Sequence, residues 1–297
     1  MASFVCRFFH SRSINKILPV MGFTEHHYQA NDGLSLYYRR YGSGKDAIVC
    51  LPGLTRNSKD FHEIATHLSS RYCVLGLDLR GRGQSDWDFD WQNYHPATYI
   101  RDTWTLLDQL DFSRFILLGT SLGGLLAMIM ASQQPERVRA VILNDVGPEA
   151  DPAGYARILA SFDQQFEVKD WRDAALYCQG TYQAALPDMC ADFWHDFAHR
   201  NYREGEGGRP ELECDPKIGE AIRKGDLSRI AGVQVDPWAA FTAVTMPCLV
   251  LRGEISDILS AEIVEQMKKV KPKLKSAVIP KRGHAPLLYE VESLAAV

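Results

Sequence analysis

Phe115-Ile-Leu-Leu-Gly-Thr-Ser-Leu-Gly-Gly-Leu-Leu-Ala-Met-Ile-Met130 is the stretch that decides the fold. It begins with four apolar residues that predict a buried strand, and the run from Leu125 to Ala131 has the composition of a helix. Between them stands Gly119-Thr-Ser-Leu-Gly123, and the order strand, Gly-x-Ser-x-Gly, helix is typical of a nucleophile elbow. The turn is so sharp that side chains at positions 119 and 123 would collide, and glycine tolerates the strain. The stretch therefore predicts Ser121 at the tip of the turn, with the N–H of Leu122 directed to where an oxyanion would form.

Two other interpretations of this stretch are weaker. Residues 115–134 carry no charge, as a membrane-spanning helix would, but the adjacent glycines and the Thr-Ser pair favour a buried strand followed by a buried helix. A dinucleotide-binding loop requires Gly-x-Gly-x-x-Gly after the first strand of a domain, and this stretch lacks that spacing. Because a bare Gly-x-Ser-x-Gly occurs often by chance, the assignment depends on the rest of the chain.

The composition is that of an ordinary globular protein. The chain has 297 residues, of which 46% are hydrophobic and 24% charged, which is enough for one large core or two smaller ones. Its formal net charge of -4 points to neither nucleic acid nor an anionic membrane as a partner. The seven cysteines are odd in number and include no Cys-x-x-Cys pair, which indicates reduced thiols in a cytoplasmic compartment.

Residues 1–21 differ in composition from the rest of the chain. They contain Arg7, Arg12 and Lys16 but no acidic residue, a composition that resembles a mitochondrial presequence. A disordered extension, or a stretch upstream of a start at Met21, is the favoured interpretation.

The remaining chain divides into three parts. Strand patterns alternate with helical ones over residues 22–147 and again over 236–297, which predicts a mostly parallel sheet flanked by helices. Residues 148–235 show several helical patterns and no strand pattern, so they predict an all-helical cap inserted over one end of the sheet. An aromatic stripe in that segment, formed by Phe193 and Phe197, more often builds the core of such a cap than a substrate wall.

One pair of histidines in the predicted cap has a spacing seen in metal sites. His195 and His199 stand four residues apart on a predicted helix, but no glutamate stands between them as in His-Glu-x-x-His, and no clear third ligand accompanies them. We therefore expect a surface pair and no metal.

With its other motifs the chain resembles the α/β-hydrolase superfamily from about Gly22 to Val297. The matching motifs, each after a predicted strand, are Leu51-Pro-Gly-Leu54, Asp78-Leu-Arg-Gly-Arg-Gly83, Gly119-Thr-Ser-Leu-Gly123, Gly253-x-x-x-Asp257 and Gly283-His284. The order serine, acid, histidine along the chain is also that of the superfamily.

The resemblance implies an α/β-hydrolase fold and a set of site residues. Ser121 would be the nucleophile, His284 the general base and Asp257 the acid that orients the histidine. The backbone N–H groups of Leu54 and Leu122 would form the oxyanion hole.

Three carboxylates compete for the role of the acid. Asp257 lies at the loop tip where the superfamily places its acid, and it is preferred. Asp145 follows the strand after the elbow strand, a position that some members use, and it is the alternative. Glu254 comes directly after Gly253, so its longer side chain would have to fold back.

The implied function is a serine hydrolase that cleaves a small-molecule ester, thioester or lactone through an acyl-enzyme, without a metal or cofactor. Serine at position 121 disfavours epoxide opening and dehalogenation, for which the superfamily carries aspartate there. Two alternatives remain: a carbon–carbon bond hydrolase acting on a keto acid, and a slow-turnover ligand-binding receptor on the same fold. Arg56 follows the oxyanion residue Leu54 and is expected at the pocket mouth, where it would favour acidic substrates, unless it is a solvated loop arginine. The sequence leaves the oligomeric state open.

Overall fold

The computed structural model describes residues 22–161, 167–224 and 236–297, so the extension predicted for residues 1–21 lies outside the described residues. The strands in the described ranges are β1 (Thr24–Gln29), β2 (Ser35–Tyr41), β3 (Ala47–Leu51), β4 (Cys73–Leu77), β5 (Phe115–Thr120), β6 (Val138–Asn144), β7 (Tyr202–Glu204), β8 (Pro210–Leu212), β9 (Cys248–Gly253) and β10 (Lys275–Ile279). The helices are α1 (His62–Leu68), α2 (Pro96–Gln109), α3 (Leu122–Gln133), α4 (Pro152–Ser161), α5 (Trp171–Tyr182), α6 (Ala191–Asn201), α7 (Lys217–Lys224), α8 (Pro237–Ala243), α9 (Ala261–Val270) and α10 (Val291–Ala296).

Eight of these strands form one sheet in the order β1-β2-β4-β3-β5-β6-β9-β10. The pairs β1–β2 and β2–β4 are antiparallel, and every other neighbouring pair is parallel. This confirms the mostly parallel sheet predicted from the alternation of strands and helices. Because β3, β5, β6 and β9 run in the same direction, the loops after them emerge at one edge of the sheet, where the motifs lie.

The central strands are buried on both faces, which explains their continuous apolar runs. In β3, Val49 packs into the larger hydrophobic core while Ile48 and Cys50 pack into the smaller one on the opposite face. Residues of α2, α3, α8 and α9 contribute to the larger core, and residues of α1 and α10 contribute to or pack against the smaller one. The sheet is therefore flanked by helices on both faces, as expected.

The described part of residues 148–235, here called the inserted segment, is not all-helical, so that part of the prediction is wrong. It contains α4 to α7 together with an antiparallel hairpin in which Tyr202 pairs with Leu212 and Glu204 with Pro210. Each strand has only three residues, too few to show a period-two pattern in the sequence. The stripe of Phe193 and Phe197 lies in a hydrophobic cluster of this segment, with the two rings stacked 5.3 Å apart.

In the ranges described, no helix is both long and apolar enough to cross a membrane. The six cysteines of those ranges are free thiols.

Candidate active site

Ser121 occupies the turn between β5 and α3. Its backbone has φ 52° and ψ −119°, outside the usual regions for a residue with a side chain. A Cβ atom on Gly123 would lie 2.0 Å from the carbonyl oxygen of Leu51, and one on Gly119 would lie 2.2 Å from that of Gly123. The close approach of three backbone segments is therefore what requires glycine at both positions.

His284 lies against this serine. Its Nε2 is 2.8 Å from Ser121 Oγ, and its side chain is largely buried. The loop that carries it is fixed from two sides: Asn144 Nδ2 donates to the carbonyl oxygen of Pro286 at 2.9 Å, and the Gly283 N–H donates to that of Ala185 at 2.7 Å. The imidazole is thus held between the sheet edge and the inserted segment.

Asp145, directly after β6, is the carboxylate in contact with the histidine. Its Oδ2 is 2.8 Å from His284 Nδ1, and the residue is fully buried. Two further donors hold the carboxylate: the Gly253 N–H at 2.8 Å from Oδ1 and the Ser256 hydroxyl at 2.6 Å from Oδ2. Its φ of 55° lies in the left-handed region, which Asp tolerates better than most residues.

The preference for Asp257 as the acid is wrong in this geometry. Its carboxylate accepts two hydrogen bonds from Arg157, at 2.5 and 2.9 Å, and it is half-exposed. Partial burial would raise the pKa of Asp257, but the Arg157 guanidinium outweighs burial and lowers it. Glu254 is also excluded, since its carboxylate accepts the Lys281 N–H at 2.9 Å. The position after β6, which was the alternative from the sequence, is the one whose carboxylate contacts the histidine.

The loop after β3 borders the serine. A Cβ atom on Gly53 would lie 3.8 Å from Ser121 Cβ, and both Gly53 and Leu54 line the cavity that contains the serine. The carbonyl oxygen of Leu54 accepts a hydrogen bond from the buried Arg82 Nε at 2.9 Å. Leu122 follows the serine at the first position of α3, where a backbone N–H has no partner within the helix.

Arg56 lies at the cavity, as expected, but its charge is already paired. Its Nε and Nη2 donate to Asp60 at 2.7 and 2.5 Å, its Nη1 donates to Asn201, and its guanidinium stacks 4.6 Å from the Phe197 ring centroid. Burial alone would lower the pKa of Arg56, but the ion pair with Asp60 raises it. Arg56 therefore joins the loop to the inserted segment instead of presenting a free cation.

The cavity at Ser121 has a volume of about 140 Å³ and lies between the sheet edge and the inserted segment. Its walls include Leu186 and Phe197 from that segment and Leu287 and Leu288 from the histidine loop. It suits a small, partly apolar substrate.

The paired histidines of α6 do not line the cavity at Ser121. The rings of His195 and His199 are 5.1 Å apart, and His199 stacks on Trp171 at 3.7 Å. Within the described ranges, no group of three or more His, Cys, Asp or Glu is arranged to hold a metal.

Two site residues were missed by sequence reasoning. Ser256 donates to the Asp145 carboxylate. Asn144 connects the histidine loop to Thr120 of the elbow strand, with 3.1 Å between Asn144 Nδ2 and Thr120 Oγ1. Asn144 stands beside Asp145 at the end of a buried strand, and this position was the one sequence feature that could have indicated a site residue. Ser256 gave none, because its partner is 111 residues away.

Comparison with known proteins agrees with the fold. A family model of the alpha/beta hydrolase fold matches residues 46–291. A 3-hydroxybutyrate-oligomer hydrolase of Cupriavidus necator is 32% identical over 84% of this chain and 85% of its own. A 2-(acetamidomethylene)succinate hydrolase of Mesorhizobium japonicum is 30% identical over 84% and 85%. A crystal structure of an alpha/beta hydrolase from Novosphingobium aromaticivorans, 40% identical, superposes with a TM-score of 0.85 over 92% of this chain and 96% of that one.

Proposed function

Since the chain belongs to the α/β-hydrolase family and is a hydrolase, we propose that it cleaves a small-molecule ester through an acyl-enzyme on Ser121. One observation carries the proposal: Ser121 Oγ, the two ring nitrogens of His284 and the Asp145 carboxylate form a continuous chain with two contacts of 2.8 Å. An ionised carboxylate only accepts hydrogen bonds, so His284 Nδ1 is the donor to it. Nε2 is then left unprotonated and can accept the serine proton.

The reaction follows from this arrangement. Ser121 Oγ attacks the ester carbonyl carbon while His284 Nε2 takes its proton. Collapse of the tetrahedral intermediate breaks the bond to the alcohol oxygen, which leaves with the proton from the imidazolium. Water, activated by the same nitrogen, then attacks the acyl-enzyme and releases the acid. Asp145 holds the imidazole in the required tautomer and stabilises its charged form in both steps.

The oxyanion of each intermediate needs donors of its own. We assign this role to the backbone N–H groups of Leu54, which lines the cavity, and of Leu122, which directly follows Ser121. The hydrogen bond from Arg82 to the Leu54 carbonyl supports this assignment, because it restrains the peptide that follows the donor. Preorganised donors of this kind commonly contribute a factor of about 10² to 10³ in kcat.

The substrate is best sought among short esters. The cavity is small and its walls are largely apolar, which favours a short acyl group. The relative named for hydrolysing 3-hydroxybutyrate oligomers supports hydroxy-acid esters as the first compounds to test.

The test combines active-site labelling with turnover. A fluorophosphonate probe should label the wild-type chain at Ser121 and should leave Ser121→Ala unlabelled, while circular dichroism shows that both are folded. A series of p-nitrophenyl esters of graded acyl length should show a burst of p-nitrophenol equal to the enzyme concentration, because the acyl-enzyme accumulates. Labelling without turnover on any ester would favour a receptor, and a folded chain that is not labelled would refute the proposal.

A further inference from the structure

Among the described residues, three arginines line the cavity at Ser121, and each is paired with a carboxylate. The pairs are Arg56–Asp60, Arg157–Asp257 and Arg200–Glu63. The side chain of Arg56 is 11% exposed and that of Arg200 17%, whereas Arg157 is 44% exposed. Of these three cations, Arg157 is therefore the one that is accessible to solvent and to a ligand.

The position of this arginine is set by the packing of α4 on the loop after β9. A Cβ atom on Gly154 would lie 1.9 Å from the carbonyl oxygen of Asp257, so glycine allows the helix to touch the loop. The Asp151 N–H also donates to the carbonyl oxygen of Ile258 at 2.9 Å. These contacts place the guanidinium at the cavity edge, with Asp257 beside it.

The partner of Arg157 can be exchanged at low cost. Exposed ion pairs contribute little to stability, because water solvates both groups when they separate. Removing one partner of a buried pair costs much more, and Arg56 and Arg200 are closer to that buried case. A carboxylate that enters the cavity would thus compete with Asp257 for the Arg157 guanidinium at a similar free energy. The displaced Asp257 side chain would turn to solvent.

We propose that Arg157 is a substrate-binding residue that takes a free carboxylate of the ester, and that Asp257 occupies this position when no substrate is bound. The inference rests on the proposed function and names its substrate class: esters that carry a second, ionised carboxyl group. The planar guanidinium already makes two parallel hydrogen bonds to a carboxylate here, and the substrate would reproduce them. Asp257 then competes with the substrate carboxylate for Arg157 and is not a catalytic acid.

The test compares two esters of similar length, p-nitrophenyl hemiglutarate and p-nitrophenyl pentanoate, by the ratio of their kcat/KM values. Charged hydrogen bonds of this kind contribute enough that Arg157→Gln should lower the ratio of charged to neutral ester about 10- to 100-fold. Asp257→Asn should raise the same ratio up to about fivefold, because it removes the competing charge.

Arg203→Gln is the matched control. Arg203 is also an arginine of the inserted segment, 50% exposed and paired with Glu211, but it does not line the cavity. The ratio of kcat/KM for the charged ester to that for the neutral ester should be the same in Arg203→Gln as in the wild type. If Arg157→Gln left the ratio of charged to neutral ester unchanged, or if Asp257→Asn lowered it, the inference would be overturned. The proposed function would still stand in that case, provided that the neutral ester is hydrolysed. A folded wild-type chain that hydrolyses neither ester and is not labelled at Ser121 would refute both.

Discussion

The substitution Asp145→Asn tests the candidate catalytic residues most directly. Asparagine has almost the same shape as aspartate and also tolerates the left-handed backbone found at this position, so the turn should survive. What changes is the hydrogen-bonding character of one end of the side chain. The native carboxylate accepts from the Gly253 N–H, from the Ser256 hydroxyl and from His284 Nδ1, and an amide cannot accept at both ends.

The amide has two possible orientations. If its oxygen keeps the bond from the Gly253 N–H, its NH₂ group faces His284 Nδ1, which must then become an acceptor. The proton moves to Nε2, facing Ser121, and the histidine can no longer act as a base. If the amide is reversed, its NH₂ group faces the buried Gly253 N–H, and a lost bond there costs about 1 to 3 kcal/mol. The first orientation avoids that cost and is the one we expect.

The wrong tautomer should lower kcat by up to about 10⁴-fold, which corresponds to about 5.5 kcal/mol of transition-state stabilisation. The assay is steady-state hydrolysis of a p-nitrophenyl ester, with the rate of fluorophosphonate labelling as a second measure of the reactivity of Ser121. Thermal unfolding followed by circular dichroism checks that the variant is folded. Asp257→Asn, measured alongside, should stay within about tenfold of the wild type, because that carboxylate contacts Arg157 instead of the histidine.

The reverse pattern would refute the reasoning. A folded Asp145→Asn variant within tenfold of wild-type kcat, with Asp257→Asn reduced by several orders of magnitude, would show that the acid comes from the loop after β9. Equal and severe losses in both variants would show that neither carboxylate acts as described.

Two further predictions concern the support of the site. Ser256→Ala should lower kcat about tenfold, because the Asp145 carboxylate loses one of the donors that hold it in place beside His284. Ser260→Ala, which removes only a helix N-cap, should leave kcat unchanged, and an equal loss in both variants would contradict the role of Ser256. Gly123→Ala should lower the free energy of unfolding by about 3 kcal/mol, because its methyl group would meet a main-chain oxygen at 2.0 Å. Gly180→Ala, in a helix with nothing within 4 Å, should raise it by about 0.5 to 1 kcal/mol, and denaturant unfolding that ranks the two variants otherwise would contradict this account.

Local sequence was sufficient where local sterics decide the structure. The elbow at Ser121 was predictable because only glycine fits positions 119 and 123, and because a strand and a helix adjoin it. The mostly parallel sheet was predictable from continuous apolar runs, which arise when strands are buried on both faces. The hairpin of β7 and β8 was not, because strands of three residues have no readable period.

The acid could not be chosen from sequence because two loops compete for one place in space. Strands β6 and β9 are neighbours, with Asn144 opposite Leu251, so the loops after them emerge side by side. Each carries an aspartate, and the sequence orders them along the chain without giving their distances to His284. The structure separates them because α4 brings Arg157 to Asp257, while the N–H of Gly253 and the hydroxyl of Ser256 are directed at Asp145.

Whether Arg56 presents a free charge in the cavity was likewise decided by tertiary contacts. The sequence placed Arg56 at the cavity close to Leu54, since the turn that positions it is local. Its partner Asp60, four residues later, was visible in the sequence, but Asn201 and the ring of Phe197 reach it only through the inserted segment. Whether a cation is free to bind substrate depends on every group that surrounds it, and contacts between segments a hundred or more residues apart are decided only by tertiary packing.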